Sequence, residues 1–213
     1  KKSKKCYSKV EKLLDKHDLK NLKGTLFNNL GLLHLCKNDF EQAEKYFKKS
    51  LKETDCPEIV NENLFRLYYK RGDIDECLKY LDQAISEYRE LKRSDKVSEL
   101  LIKKSDILLR ADRKDDAEET LHEALKNERK RKLPIFNREK SSSDNEIKIH
   151  QKLAILQERK AELKKCIDNR KKVIESLKRS DNIERAGKVS FKLAFNLKDV
   201  GNTEEAITLL DRW

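Results

Sequence analysis

One helical pattern recurs along the chain and restricts its fold more than any other feature. In the first copy, Phe27-x2-Leu30-Gly31-x2-His34 is followed by Ala43-x3-Phe47. The later copies are Leu64-Phe65-x2-Tyr68 with Cys77-x3-Leu81, Ser105-x2-Leu108 with Ala117-x3-Leu121, and Leu193-Ala194-x2-Leu197 with Ala206-x3-Leu210. The small residues let two helices approach closely, and the large apolar residues fill the space between neighbouring pairs. Because one helix pair cannot bury its apolar face alone, the pattern predicts an all-α fold, an α-solenoid of stacked helix pairs.

The composition agrees with this prediction. The chain has 5 Gly and 2 Pro in 213 residues, too few for a sandwich or barrel with a turn every 8–12 residues. No apolar run approaches the roughly 18 residues of a membrane span, so we expect no membrane association. The sequence contains no Met, and we interpret it as an internal piece of a longer chain.

The repeat copies divide the chain into five predicted segments. These are the last helix of a truncated upstream repeat (1–23), three repeats (24–125), a basic, partly disordered loop (126–146), one long interrupting helix (147–179) and a further, truncated repeat (180–213). The long helix is predicted because apolar residues recur at alternating steps of four and three between Ile149 and Leu177.

The sequence offers no constellation of catalytic residues. Its four histidines are scattered, and it lacks the glycine-rich motifs that hold phosphate. The 5 Cys are an odd number with no CxxC pair, which indicates neither a disulfide framework nor a zinc site. We therefore predict a protein that is not an enzyme and that has no catalytic residues, cofactor or metal.

The repeated pattern resembles that of the tetratricopeptide (TPR) superfamily, W-x2-L-G-x2-Y followed by A-x3-F. The resemblance implies protein binding in a concave groove lined by the first helix of each repeat. The groove positions would include Asn28, Asn29, Asn63, Arg66, Tyr69, Lys70 and Lys103. Asn29 and Asn63 carry side-chain amides, which can pair with a peptide backbone through both donor and acceptor. The alternative is that these residues are polar only because exposed helix positions usually are.

A narrower resemblance rests on the order of features. The segments Leu26-Phe27-Asn28-Asn29-Leu30-Gly31-Leu32 and Tyr46-Phe47-Lys48-Lys49-Ser50 come first, then the loop, the long helix and Gly201-x4-Ala206. This order is similar to the N-terminal TPR region of Tonsoku-like proteins. The resemblance implies a nuclear, chromatin-associated scaffold of DNA replication and DNA repair. Its partners would be an Mms22-like protein and replication or histone-chaperone factors.

A rival resemblance is to cytoplasmic spindle-orientation adaptors. That family shows Leu-Gly-Asn in successive repeats, but Leu32 and Arg66 stand where two of those asparagines would be. We rank this reading below the nuclear one.

The net charge of +11 is concentrated in parts of the chain. Residues 126–179 hold 18 basic and 8 acidic side chains, while residues 24–125 hold 18 and 22. The run Arg129-Lys130-Arg131-Lys132 is a candidate basic patch, either for nuclear import or for phosphate contacts. A second alternative function is therefore a nucleic-acid-binding helical array using 126–179. Its signal is weak, because Phe136 is the only aromatic residue there to stack on bases.

Overall fold

The computed structural model describes residues 20–131 and 144–213, together with residue 10. The two ranges form ten α-helices and no strand. The helices are α1 (Lys20–Cys36), α2 (Phe40–Glu53), α3 (Pro57–Arg71), α4 (Ile74–Glu90), α5 (Ser94–Arg110), α6 (Lys114–Arg131), α7 (Asp144–Arg159), α8 (Leu163–Arg179), α9 (Ile183–Asp199) and α10 (Thr203–Leu210).

The helices pack as consecutive antiparallel pairs within two compact units. The first unit, residues 1–93, contains the pairs α1–α2 and α3–α4, and α2 packs on α3. The second unit, residues 94–213, contains α5–α6, α7–α8 and α9–α10, with contacts from α6 to α7 and from α8 to α9. We call the first helix of each pair the A helix and the second the B helix. The predicted all-α fold of stacked helix pairs is confirmed.

One register relates all five pairs. In each pair, one residue of the A helix lies twelve positions before a buried residue in the first turn of the B helix. The five pairs of positions are Gly31 and Ala43, Phe65 and Cys77, Ser105 and Ala117, Ala154 and Cys166, and Ala194 and Ala206. At Gly31 the approach is so close that an added Cβ would lie 2.4 Å from Cε1 of Phe47. Small side chains therefore set the spacing within four of the five pairs, and the large Phe65 occupies the equivalent position in the pair α3–α4.

The turn between A and B helices has the same geometry in each pair. One residue takes a left-handed conformation, and the residue after it donates its N–H to a carbonyl five positions earlier, at 2.8–3.0 Å. The left-handed residues are Asn38, Gly72, Asp112, Ala161 and Gly201. This turn caps the A helix and reverses the chain within three residues.

The predicted single helix over 147–179 is wrong. The chain ends α7 at Arg159, turns through Ala161 at φ 59° and begins α8 at Leu163. The two helices pack against each other, so this segment is a fourth helix pair. The apolar spacing of four and three residues appears continuous because α7 and α8 each bury one stripe of apolar side chains with helical spacing.

Two other predicted boundaries also shift. The predicted loop 126–146 begins as the last turns of α6 and ends as the first turn of α7, and its residues 132–143 lie outside the described part. The first helix already begins at Lys20, inside the segment assigned to an upstream repeat. The rest of that assignment lies outside the described residues, apart from residue 10.

The described residues contain neither a membrane-spanning type of helix nor a cluster of metal ligands. None of the helices there has both the length and the apolarity to cross a membrane. Within the same ranges, no three His, Cys, Asp or Glu side chains are grouped so that they could hold a metal ion.

The substitution Gly31→Ala tests the close helix contact. Helix propensity alone favours Ala over Gly by about 1 kcal/mol. The new Cβ would collide with the fully buried ring of Phe47, so we expect a net loss of about 1–3 kcal/mol in the free energy of unfolding. Urea denaturation followed by circular dichroism measures it.

The matched control is Gly187→Ala in α9. Its Cβ would lie 3.3 Å from Trp213, whose exposed ring can move away, so no loss is expected. A gain in stability from Gly31→Ala would contradict the close contact.

The substitution Ala161→Gly tests the break between α7 and α8. A residue with a Cβ is strained in the left-handed region by about 1 kcal/mol, and Gly is not. We expect a gain in the free energy of unfolding of up to about 1 kcal/mol. A continuous helix would instead lose about 1 kcal/mol, as we expect for the control Lys148→Gly inside α7. The sign of the change in urea denaturation decides between the two structures.

Candidate functional site

A chain of polar side chains crosses the first unit from α1 to α4. Asn63 Nδ2 on α3 donates to Asn28 Oδ1 on α1 at 2.8 Å. Arg66 donates from Nη1 to Asn63 Oδ1 at 3.3 Å and from Nη2 to Glu62 Oε2 at 2.8 Å. Tyr88 Oη on α4 donates to the other carboxylate oxygen of Glu62 at 3.5 Å. These five residues are called the polar chain below.

The polar chain is partly buried, with Arg66 as its exposed end. Asn63 and Glu62 are 3% and 6% exposed as residues, whereas the Arg66 side chain is 48% exposed. Burial and the nearby charges of Glu62 and Glu58 raise the pKa of Tyr88 to about 12, which keeps its hydroxyl protonated as a donor. The guanidinium of Arg66 balances the carboxylate of Glu62 and presents its remaining donors to solvent.

The structure therefore brings together three of the predicted groove residues, Asn28, Asn63 and Arg66. No sequence pattern predicts that two asparagines bond to each other, and Tyr88 was missed because it lies on a B helix. We define the A-helix face of the first unit as this cluster with Asn29, Tyr69 and Lys70. Of those three, Asn29 and Lys70 are exposed and Tyr69 is half-buried.

Lys103 belongs to the second unit. It lies on α5 and its Nζ bonds Glu99 Oε1 at 2.6 Å. The hydrogen bond from Lys103 and the charges of Lys103 and Lys96 lower the pKa of Glu99 below its usual value, against the opposing effect of burial. Lys103 is thus a half-buried cation with its own counter-ion.

The predicted basic patch falls at the end of α6. Arg129 and Lys130 are exposed there and line a cavity of about 430 Å³ with His122 and Lys126. Arg131 is the last residue of α6, and Lys132 lies outside the described residues.

Much of the positive charge of α7 and α8 is held in ion pairs. Lys160 bonds Asp115 at 2.6 Å and Glu118 at 2.5 Å, and these carboxylates raise the pKa of Lys160 well above its usual value. The further ion pairs are Lys152–Asp106, Lys165–Glu162, Arg170–Glu158, Lys171–Glu205 and Arg179–Glu175. Lys165–Glu162 and Arg179–Glu175 are local pairs, whereas the others join different parts of the second unit. All of them leave fewer cations for a polyanion.

A buried relay of amides accompanies these ion pairs. His150 Nδ1 lies 2.6 Å from Asn169 Oδ1, and Asn169 Nδ2 donates to Gln157 Oε1 at 2.8 Å. Gln157 Nε2 in turn donates to Glu118 Oε1 at 3.3 Å. Burial, partly opposed by the Asn169 bond, lowers the pKa of His150, so the ring is neutral at pH 7. The relay joins α6, α7 and α8 and is a packing feature.

Exposed apolar side chains on the second unit were missed from the sequence. Ile155, Phe191 and Phe195 lie on A helices and are 46%, 56% and 54% exposed. Ile155 and Phe195 are forty residues apart and occupy the same repeat position. The spacing from Ala154 to Cys166 is the signal that could have revealed them, because it identifies the fourth helix pair.

Comparisons with known proteins agree with this architecture. Residues 24–53 match the family model "Tetratricopeptide repeat". No curated protein sequence matches the chain. BtubC (BKLC) from P. vanneervenii is similar in structure, with a TM-score of 0.66 and 16% identity over 99% of this chain and 86% of that one.

Two further solved structures share the fold. The MamA protein gives a TM-score of 0.58 at 16% identity over 89% of this chain and 88% of that chain. YrrB, described as a TPR protein with an unusual peptide-binding site, gives 0.56 at 11% identity over 96% and 89%. At these identities the similarities establish the fold, an all-α TPR solenoid.

The substitution Asn63→Ala tests the polar chain. It removes the donor to Asn28 and the acceptor for Arg66, so we expect a loss of about 1 kcal/mol in the free energy of unfolding. The exposed neighbour Asn29→Ala is the control and should change stability by less than about 0.5 kcal/mol. Equal effects in urea denaturation would show that the polar chain contributes nothing.

Proposed function

We propose that this protein is a non-enzymatic scaffold that binds other proteins, and that the A-helix face of the first unit holds an extended peptide segment of a partner. The observation that supports this most strongly is the polar chain. It holds Arg66 against Asn63 and Glu62, on the same A helices that carry the exposed Asn29 and Lys70. A rigid arrangement of donors loses little entropy when a peptide binds.

The chemistry of this face favours an acidic or carbonyl-rich ligand. Arg66 and Lys70 supply cationic donors, and Asn29 supplies both a donor and an acceptor for a peptide backbone. The buried carboxylate of Glu62 is already bonded by Arg66 and Tyr88, so it does not repel an approaching acidic group as a bare charge would. We therefore propose a ligand with at least one carboxylate next to an extended backbone.

The alternative of a nucleic-acid-binding array is less well supported. Six cations of α7, α8 and the turn between them form ion pairs with carboxylates of the second unit. Phosphate binding would have to break those pairs. The exposed Arg129 and Lys130 fit a local contact with an acidic protein surface better than a track along a strand.

The narrower proposal is a nuclear, Tonsoku-like scaffold of replication-associated DNA repair, with an Mms22-like protein or replication and histone-chaperone factors as partners. The order of the sequence segments before the loop supports it. The division of residues 147–179 into two helices removes one of the features on which the similarity depended. The general scaffold function does not depend on this assignment.

A comparison of two triple variants tests the peptide-binding face. The first, Asn29→Ala with Arg66→Ala and Lys70→Ala, removes exposed donors of that face. The second, Lys45→Ala with Lys52→Ala and Gln83→Ala, removes exposed side chains of the B helices. Each chain is used as bait in separate nuclear and cytoplasmic extracts, and bound proteins are quantified by mass spectrometry.

We expect the first variant to lose at least one partner that the second retains, with unchanged helical content in both. Loss of the same partners from both variants, or from neither, would refute the assignment of the face. Recovery of an Mms22-like protein from the nuclear extract would support the narrower proposal, and partners drawn only from the cytoplasmic extract would refute it.

A further inference from the structure

The helix α3 exposes a single stripe of side chains to solvent along most of its length. Its buried residues run from Glu58 to Tyr68, and only Ile59 and Arg66 in that range are exposed. Lys70 is exposed one turn beyond Arg66. Separations of seven and four residues place Ile59, Arg66 and Lys70 on the same side of an α-helix. These three residues are called the α3 stripe below.

The two ends of the α3 stripe differ in chemistry. Ile59, near the N-terminal end of α3, is 46% exposed. Arg66 bonds Asn63 and Glu62 through two of its nitrogens and keeps the rest of its guanidinium in solvent. Lys70 is paired with no carboxylate among the described residues. The stripe therefore presents an apolar contact at one end and positive charge at the other.

The middle of the α3 stripe is flanked by groups that already have partners. Glu62 and Asn63 are 6% and 3% exposed. Both carboxylate oxygens of Glu62 accept hydrogen bonds, one from Arg66 and one from Tyr88. The amide of Asn63 donates to Asn28 and accepts from Arg66. A bound segment therefore makes its specific contacts at the two ends of the stripe.

The combination of an exposed Ile and an exposed Arg is particular to α3. The equivalent positions of the neighbouring repeat copies hold Thr25 and Leu32 in α1 and Glu99 and Asp106 in α5. Each of the two carboxylates in α5 forms an ion pair with a lysine of the second unit. Neither neighbouring copy has an apolar residue followed by a cation, so the repeat fold itself does not require them.

The distance between the two ends of the stripe matches an extended peptide. Seven residues of helix from Ile59 to Arg66 correspond to a rise of about 10 Å. Three residues of a polyproline II segment advance about 9 Å and complete one turn, so its residues i and i+3 point to the same side. An apolar residue and an acidic residue at these two positions, in either order, can therefore contact Ile59 and the cations together.

We propose that the α3 stripe selects peptide segments in which an apolar residue and an Asp or Glu are separated by two other residues. Ile59 contacts the apolar side chain, and Arg66 and Lys70 bind the carboxylate. This specificity rests on the function proposed for the A-helix face of the first unit, because the ligand is the extended peptide of that face. It adds which residues of the peptide are recognised and how far apart they lie.

A phage-displayed library of random peptides, selected on the full 213-residue chain, tests the proposal. The selected peptides are sequenced before and after counter-selection on the triple variant Asn29→Ala with Arg66→Ala and Lys70→Ala. We expect the peptides that no longer bind the triple variant to share an apolar and an acidic residue separated by two others. A different shared spacing, or no shared spacing, would overturn the proposal and leave the proposed function intact. If every selected peptide still binds the triple variant, the function proposed for this face is refuted as well.

Point variants then assign the two contacts by fluorescence anisotropy with a selected peptide. Ile59→Asp and Lys70→Glu should each bind it at least about tenfold more weakly, because a new carboxylate faces an apolar side chain or a like charge. Changing the acidic residue of the peptide to Gln should remove most of the effect of Lys70→Glu. The controls Ile155→Asp, at a residue that is also 46% exposed, and Lys192→Glu, at an exposed lysine of α9, should leave binding unchanged. Unchanged affinity in Ile59→Asp or in Lys70→Glu would overturn the proposal.

Discussion

The close approach of the two helices within each pair governs the rest of this structure. Gly31 leaves no room for a methyl group beside Phe47, and Ala43, Ala117 and Ala206 are almost fully buried at the start of their B helices. Because these positions recur with one fixed separation of twelve residues, all five pairs share one phase, although the A-helix position of the α3–α4 pair is the large Phe65. Within each unit, repeat position therefore determines which A-helix residues are available for binding.

The junctions between successive helix pairs differ in their chemistry, although all pairs share one register. The α6–α7 junction is held by Lys160 and its two carboxylates, whereas the α8–α9 junction is an apolar cluster around Ile167 and Leu193. The two helix faces that meet at each junction match each other chemically, so one helix pair cannot take the place of another.

The fold class could be predicted from the sequence because apolar spacing and small residues are local signals. The break after Arg159 was missed because Ala161 adopts a conformation that sequence patterns associate with Gly or Asn, and only the twelve-residue spacing from Ala154 to Cys166 indicates it. Of the candidate site, Asn63 and Arg66 were predicted from the resemblance to tetratricopeptide arrays. Their bonds to Asn28 and Glu62 depend on how neighbouring helices meet, which a linear pattern does not encode.

The central claim is that the described chain is a series of helix pairs in one register, including residues 144–179. Spin labels placed at exposed Lys148 and Glu175 through bioorthogonal side chains, with their separation measured by pulsed dipolar spectroscopy, test it most directly. A helix pair with neighbouring axes about 10 Å apart places the two labels within about 25 Å of each other. A single continuous helix, rising about 1.5 Å per residue, would separate them by about 40 Å and contradict the account.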